Sequence, residues 1–167
     1  MPGLHPFSLY TQHSELLSAY ASFSTAMKFI SLAAALAFAL PAFAQTTVEP
    51  VTYDTTYDEI SLSLSAVACS NGANGLLTKG YTTLGSLPTY PNLGGAYTVT
   101  GYDSPECGTC YNITYGSTSL FVTAVDVAEE GFNLSEEAMN VLTGGLAIEL
   151  GRVNVESTPV AASYCGL

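Results

Sequence analysis

Two kinds of side chain in this sequence are spaced for chemistry. One is a close cysteine pair, Cys107 and Cys110, inside Gly101–Tyr111 (GYDSPECGTCY); the other is a scatter of aspartates, Asp54, Asp58, Asp103 and Asp126. A C-x-x-C pair serves as a zinc half-site, a redox dithiol, or the anchor of two separate structural disulfides. Zinc needs further Cys or His ligands at short spacing, but Cys69 and Cys165 stand alone towards the far ends. A redox pair opens a helix within a βαβ unit, whereas Cys110 leads into the β-rich run Tyr111-Asn112-Ile113-Thr114-Tyr115. The aspartates raise glycoside cleavage, which requires two carboxylates about 5–5.5 Å or 6.5–9.5 Å apart. One of them must be kept protonated by burial or by a like charge. Residue type alone permits that; Asp103 before Ser104-Pro105 also makes a good turn.

The structural reading of the cysteines requires an oxidising compartment, and the N-terminal part of the chain predicts one. Lys28, the apolar run Phe29–Ala44 and its ending Ala42-Phe43-Ala44 have the basic start, hydrophobic middle and small-residue cleavage site of a secretory signal peptide. The run is shorter than the ~20 residues that span a bilayer, so residues 27–44 are read as a signal peptide beginning at Met27. Residues 1–26 are read as an upstream start-site extension. The remainder, 45–167, suits one domain with a single core. Four cysteines in that setting give two disulfides and three connectivities. Loop-closure entropy makes a local Cys107–Cys110 bridge worth roughly 2 kcal/mol against about 4 kcal/mol for a long-range one. It favours two long bridges and leaves their pairing open.

Both histidines, His5 and His13, precede the predicted cut, which removes histidine as base, triad member or metal ligand from the mature chain. Only Lys79 and Arg152 are basic beyond residue 44, against all the acids but Glu15, and the formal net charge is −11. A nucleic-acid partner needs a basic patch that this chain lacks, and an anionic membrane is disfavoured for the same reason. Neutral ligands are the expected partners; no cofactor and no metal are expected.

The elements that must hold these residues read as follows. Val51-Thr52-Tyr53 begins β-like sequence. Ser61–Cys69 (SLSLSAVAC) alternates and predicts a half-buried strand. Ser70–Gly75 is a loop of turn formers, Leu76–Tyr81 a helical turn, and Gly85–Gly95, with Pro88 and Pro91, irregular. Ala96–Tyr102 and Cys110–Tyr115 read as strands, and Ser119–Val127 as the central buried one. Leu134–Thr143 reads as a helix, capped by Asn133 or Ser135 and stopped by Gly144-Gly145. Ala147–Glu156 and Ala161–Cys165 are further predicted strands. Six or so short strands with one helix and long turn-rich loops predict a mainly β fold, a small closed or nearly closed barrel. Asn112-Ile113-Thr114 and Asn133-Leu134-Ser135 are glycosylation sequons; the first falls in a strand, the second at a helix opening with more open surroundings.

With these motifs in place, the sequence resembles the cerato-platanin family of secreted fungal proteins. The resemblance is carried by Tyr53-Asp54, Val67-Ala68-Cys69-Ser70-Asn71-Gly72, Pro91-Asn92-Leu93-Gly94-Gly95 and Asp103-Ser104-Pro105-Glu106-Cys107-Gly108-Thr109-Cys110. Val125-Asp126, Gly131-Phe132-Asn133, Gly151-Arg152-Val153 and Cys165 extend it in order to the chain's end. The resemblance implies a six-stranded double-ψ β-barrel with one or two short helices and the disulfides Cys69–Cys107 and Cys110–Cys165. It implies a non-catalytic, expansin-like role: binding chitin-type oligosaccharides, loosening wall glucans and other wall polysaccharides, and eliciting plant defence through a plant receptor. Asp126 matches the aspartate of the shallow groove in expansin-like proteins. The expected ligand-binding set is Asp126, Asp103, Ser70, Asn71, Gly72 and Tyr53, although Asp103 and Ser70–Gly72 make turns with or without a sugar and Tyr53 suits a core or rim position. Tyr102 replaces a tryptophan common in relatives, and Glu129 and Glu130 add charge beside Asp126. The competing functions are a weak hydrolase of the same fold and a surface-active protein, monomeric in solution, that self-assembles at interfaces.

Overall fold

The computed structural model describes residues 45–167; the predicted extension and signal peptide lie outside the described residues. Six strands are laid down in chain order: β1 (Thr47–Tyr53), β2 (Leu93–Ala96), β3 (Cys110–Tyr115), β4 (Thr118–Val127), β5 (Phe132–Leu134) and β6 (Val153–Val160). They close into a barrel in the order β1-β5-β2-β4-β3-β6. Closure removes exposed sheet edges. The pairs β1–β5 and β2–β4 are parallel and the other neighbours antiparallel, as the double-ψ expectation requires. β1 changes partners along its length, pairing β6 over Thr47–Val51 and β5 over Val51–Tyr53. Pro50, which has no N–H to give a ladder, falls at this changeover.

Inward side chains alternate along β3 and β4, where Tyr111, Ile113, Leu120, Val122 and Ala124 are buried. Phe132 sits at the centre, 1% exposed, with the rings of Tyr111 and Tyr97 edge-on to it at 5.0 and 5.9 Å. The two middle residues of β2 are glycines for steric reasons. A Cβ on Gly94 would lie 2.7 Å from the Leu134 Cα, and one on Gly95 would lie 2.5 Å from the Val127 carbonyl oxygen. Its two neighbouring strands therefore approach too closely for any other residue.

Two helices follow β5. α1 (Glu136–Thr143) begins at Ser135, whose Oγ accepts from the Ala138 N–H at 3.0 Å and donates to the Pro91 carbonyl at 2.7 Å. Gly144 ends it in the left-handed conformation (φ 68°). α1 rests Ala138, Met139 and Leu142 on the barrel near β1 and β4. α2 (Ala147–Leu150) is a single turn. Both disulfides join the pairs that the resemblance implies, Cys69–Cys107 and Cys110–Cys165, with Cα–Cα distances of 5.2 and 5.8 Å.

Several local expectations are corrected. Ser61–Cys69 is not a strand: Ser63 accepts from the Ser65 N–H and starts a 3-10 turn over Leu64–Ala66, leaving one isolated bridge from Ser63 to Thr83. Leu64 and Val67, three residues apart, are buried and Ala66 is exposed, so the apparent period of two was carried by serines that bond the backbone locally. The helical turn expected over Leu76–Tyr81 is present as consecutive hydrogen-bonded turns over 76–80, with the Lys79 and Gly80 N–H groups donating three residues back. The span Gly85–Gly95, expected to be irregular, ends in β2, whereas Ala96–Tyr102 leaves the sheet after Ala96. Ala147–Glu156 divides into α2 and the start of β6, and Ala161–Cys165 holds a 3-10 turn (Ala162–Cys165) in place of a strand. That turn lays Tyr164 over Phe121 on the outside of the barrel, ring centroids 5.0 Å apart.

Candidate functional site

The site is built on a fault in the sheet. Between Gly94 and Gly95 the β2–β4 register slips, so that Gly94 faces Ala124 and Gly95 faces Asp126. Val125 is the additional residue, fully buried. A bulge of this kind re-aims the side chain that follows it. Asp126 is thereby turned towards the Val67–Ser70 segment, which runs alongside because the Cys69 N–H donates to the Val125 carbonyl at 3.1 Å.

The Asp126 carboxylate is saturated with donors on one side. Oδ1 accepts from the Ala68 N–H at 3.0 Å and from the Val127 N–H at 2.9 Å; Oδ2 accepts from the Tyr57 hydroxyl at 3.2 Å. Tyr57 was not among the candidates read from the sequence. It reaches the site from the 3-10 turn Thr55–Asp58, sixty-nine positions away along the chain, and a contact that remote leaves no local signal. Burial first, then the charge and hydrogen bond of Asp126, push the Tyr57 hydroxyl far above its ordinary pKa of 10.0. Below pH ~10 the hydroxyl is neutral in both folded and unfolded chains. Above it the unfolded chain releases the proton and the folded one retains it. Stability is therefore expected to fall with rising pH by up to about 1.4 kcal/mol per unit from this group alone. Urea unfolding of wild type and Tyr57→Phe across the alkaline range checks this: the variant should show the shallower decline, and parallel slopes would contradict the assignment.

The other predicted residues form a second, adjoining cluster. Asp103, at φ 57°, accepts from the Asn74 N–H through Oδ1 at 2.8 Å, and its carbonyl accepts from Asn74 Nδ2 at 2.9 Å. Gly72 packs so closely on Asp103 that a Cβ there would lie 2.8 Å from the Asp103 Cβ. The Ser70–Gly75 loop and the Gly101–Cys107 loop are thus clasped together, and the Cys69–Cys107 bridge fastens the same two loops. Ser70 is buried and Asn71 exposed. Tyr53 lies on β1, half-buried against the core, apart from both clusters in its hydrogen bonding.

A cleft of ≈ 320 Å³ opens beside the end of β4, with Thr52, Val127, Ala128, Glu129, Asn133 and Arg152 among its walls. The Thr52 hydroxyl donates to Asn133 Oδ1 at 3.0 Å. Arg152 pairs with Glu130 at 2.7 Å, both well exposed. Asp126 itself does not line this cleft; the four residues that follow it, Val127 to Glu130, do. Asn133 is a residue of β5 and not of a helix opening, contrary to the sequon reading, and both Asn112 and Asn133 are half-buried strand residues. Two further candidate acids hold backbone. Asp58 accepts the Glu136 and Glu137 N–H groups at 2.9 and 3.0 Å across the start of α1, and Asp54 accepts the Thr56 N–H at 2.8 Å. Among the described residues no group of three or more His, Cys, Asp or Glu is placed to hold a metal ion, and no helix is long and apolar enough to cross a membrane.

The closed six-stranded barrel braced by two disulfides is the fold of solved cerato-platanin structures. The chain belongs to the cerato-platanin family, whose model matches residues 49–167. It is 48% identical over 145 residues to the "Heat-stable 19 kDa antigen" of Coccidioides immitis, across 84% of this chain and 99% of that one. The crystal structure of cerato-platanin 2 from M. perniciosa is similar at a TM-score of 0.71 and 42% identity, covering 72% of this chain and all of that one. The solution structure of a protein described as the fungal elicitor cerato-platanin is similar at 0.64 and 42%, covering 70% and 95%.

Proposed function

We propose that this protein is exported and acts without catalysis on cell-wall polysaccharide, binding chitin-type oligosaccharides or wall glucans in the cleft beside Asp126 and being perceived by plants as an elicitor. The observation that carries the reading is the cleft's chemistry: an open trough with a hydroxyl (Thr52), a carboxamide (Asn133) and a carboxylate (Glu129) on its walls, groups that pair with sugar hydroxyls. The ligand extends from there towards Ser70, Asn71 and Gly72, with Asp126 as the pivot between the two regions.

The absence of hydrolysis is supported by what the carboxylates do. Asp54, Asp58, Asp103 and Asp126 each accept at least one backbone N–H, so each is already engaged in holding a turn, a loop or a helix start, and none of the four lines the cleft. The elicitor description of a similar protein and the family's fungal members support the biological setting. A calorimetric titration with N-acetylglucosamine oligomers, paired with a reducing-end assay on chitin and β-glucan, is the test. Saturable binding without release of reducing ends is expected; turnover would replace this reading with a hydrolase, and neither binding nor turnover would remove it.

A second reading, adsorption at air–water interfaces, draws on Val141, Leu146, Ile148 and Leu150, all exposed on and around α1 and α2. These residues lie on other elements than the cleft walls, so the two activities are compatible.

A further inference from the structure

We infer that the mature chain begins at Gln45 and that this residue is converted to pyroglutamate, forming one wall of a tyrosine-lined cleft. The inference rests on the predicted export signal and is independent of the carbohydrate reading.

The sequence places a glutamine directly after Ala42-Phe43-Ala44. The structure shows where the folded domain takes hold of the chain. Thr46 Oγ1 and Thr158 Oγ1 are bonded at 2.7 Å, and Thr47 enters the β1–β6 ladder opposite Ser157. Gln45 is the residue immediately before that anchor. It is exposed, and none of the hydrogen bonds among the described residues engages its side chain. A protease has a cut site next to, and not within, the barrel, and the new terminus keeps a free carboxamide within reach of its own α-amine.

The covalent step needs no partner. The α-nitrogen of Gln45 attacks its own side-chain carbonyl carbon, the carboxamide C–N bond breaks, and ammonia leaves with a proton from the α-nitrogen. The product is a five-membered lactam with no charge. The position suits it. Gln45 shares a cleft of ≈ 460 Å³ with Tyr97, Thr98, Glu106 and Tyr111. Tyr97, 39% exposed, offers ring surface to whatever sits there, and Tyr111 lies buried behind it with its hydroxyl paired to Thr98 Oγ1 at 2.6 Å. A compact neutral ring packs on such surface without the desolvation that an ammonium suffers. Cyclisation also closes the chain to aminopeptidases.

The test is intact mass and N-terminal sequencing of the full chain secreted into culture medium. The expected product begins at residue 45, is lighter by one ammonia than the Gln45-initiated sequence, and yields no Edman cycle until treated with pyroglutamyl aminopeptidase. Gln45→Ala should secrete with full mass and a readable terminus. A wild-type product that starts at Gln45 with a free amine overturns the cyclisation. A product that starts elsewhere overturns the cleavage position and the proposal with it.

Discussion

Replacing Cys69 and Cys107 together with alanine should lower the unfolding free energy by about 4 kcal/mol, from the entropy of opening a loop of this size. The bridged residues are 38 positions apart, and 55 for Cys110–Cys165, so the logarithmic dependence on loop length predicts nearly equal costs. Against a typical total of about 5–15 kcal/mol for a domain, either loss is severe and both together leave the barrel unfolded. The two bridges differ in what they hold. Cys69–Cys107 fastens the loop that feeds the Ala68 N–H to Asp126. Cys110–Cys165 ties the start of β3 to the C-terminal turn. Glycan affinity should therefore fall in the first double variant even where it remains folded, and persist in the second. Denaturant unfolding and glycan titration of both variants decide it; equal loss of affinity in the two would refute the division of labour.

The second large effect belongs to Asp126. Truncation to alanine removes the acceptor for two backbone N–H groups and leaves the nearly buried Tyr57 hydroxyl without its partner. Hydrogen bonds to a charged acceptor contribute about 1.5–3 kcal/mol, and a stranded buried donor costs about 1–3 kcal/mol. Asp126→Ala is therefore expected to cost roughly 3 kcal/mol and to loosen the Val67–Ser70 segment. Asp126→Asn keeps an acceptor for the backbone and should cost about 1 kcal/mol. If Asp126 also meets the sugar, affinity in the Asn variant falls about tenfold or more, equivalent to ~1.4 kcal/mol, although the fold survives. Thermal unfolding beside titration separates the two roles. An alanine variant as stable as wild type would show that the three hydrogen bonds are not what holds the loop.

What the sequence disclosed and what it concealed follow from the range of the interactions. β3, β4 and α1 were legible because their burial patterns repeat locally, and Ser135 followed by two glutamates marks a helix start without tertiary information. Ser61–Cys69 misled because serine side chains offered the backbone local partners and turned an alternating pattern into a 3-10 turn. The strand reading of Ala147–Glu156 failed because its first four residues form α2 after the Gly144-Gly145 break. β2 was hidden among prolines and glycines, since a strand crowded on both sides excludes the β-branched residues that ordinarily signal one. Asp126 stood out by resemblance, but its bulge, its Tyr57 partner and the cleft walls Thr52 and Asn133 arise from pairings between distant strands. The candidate set read from the sequence falls into Asp126 on its bulge and, adjoining it, the Ser70–Gly72 loop clasped to Asp103. Tyr53 remains with the core.

Uncharged wall saccharide is proposed to occupy the trough beside the β4 bulge. The most direct measurement is a residue-resolved NMR titration of the isotope-labelled protein with N-acetylglucosamine oligomers. Saturable shifts at Thr52, Ala128 and Asn133, continuing through Ser70–Gly72 and attenuated in Asp126→Asn, are the predicted result. Shifts confined to α1 and α2, or a spectrum unchanged at saturating oligomer, would contradict it.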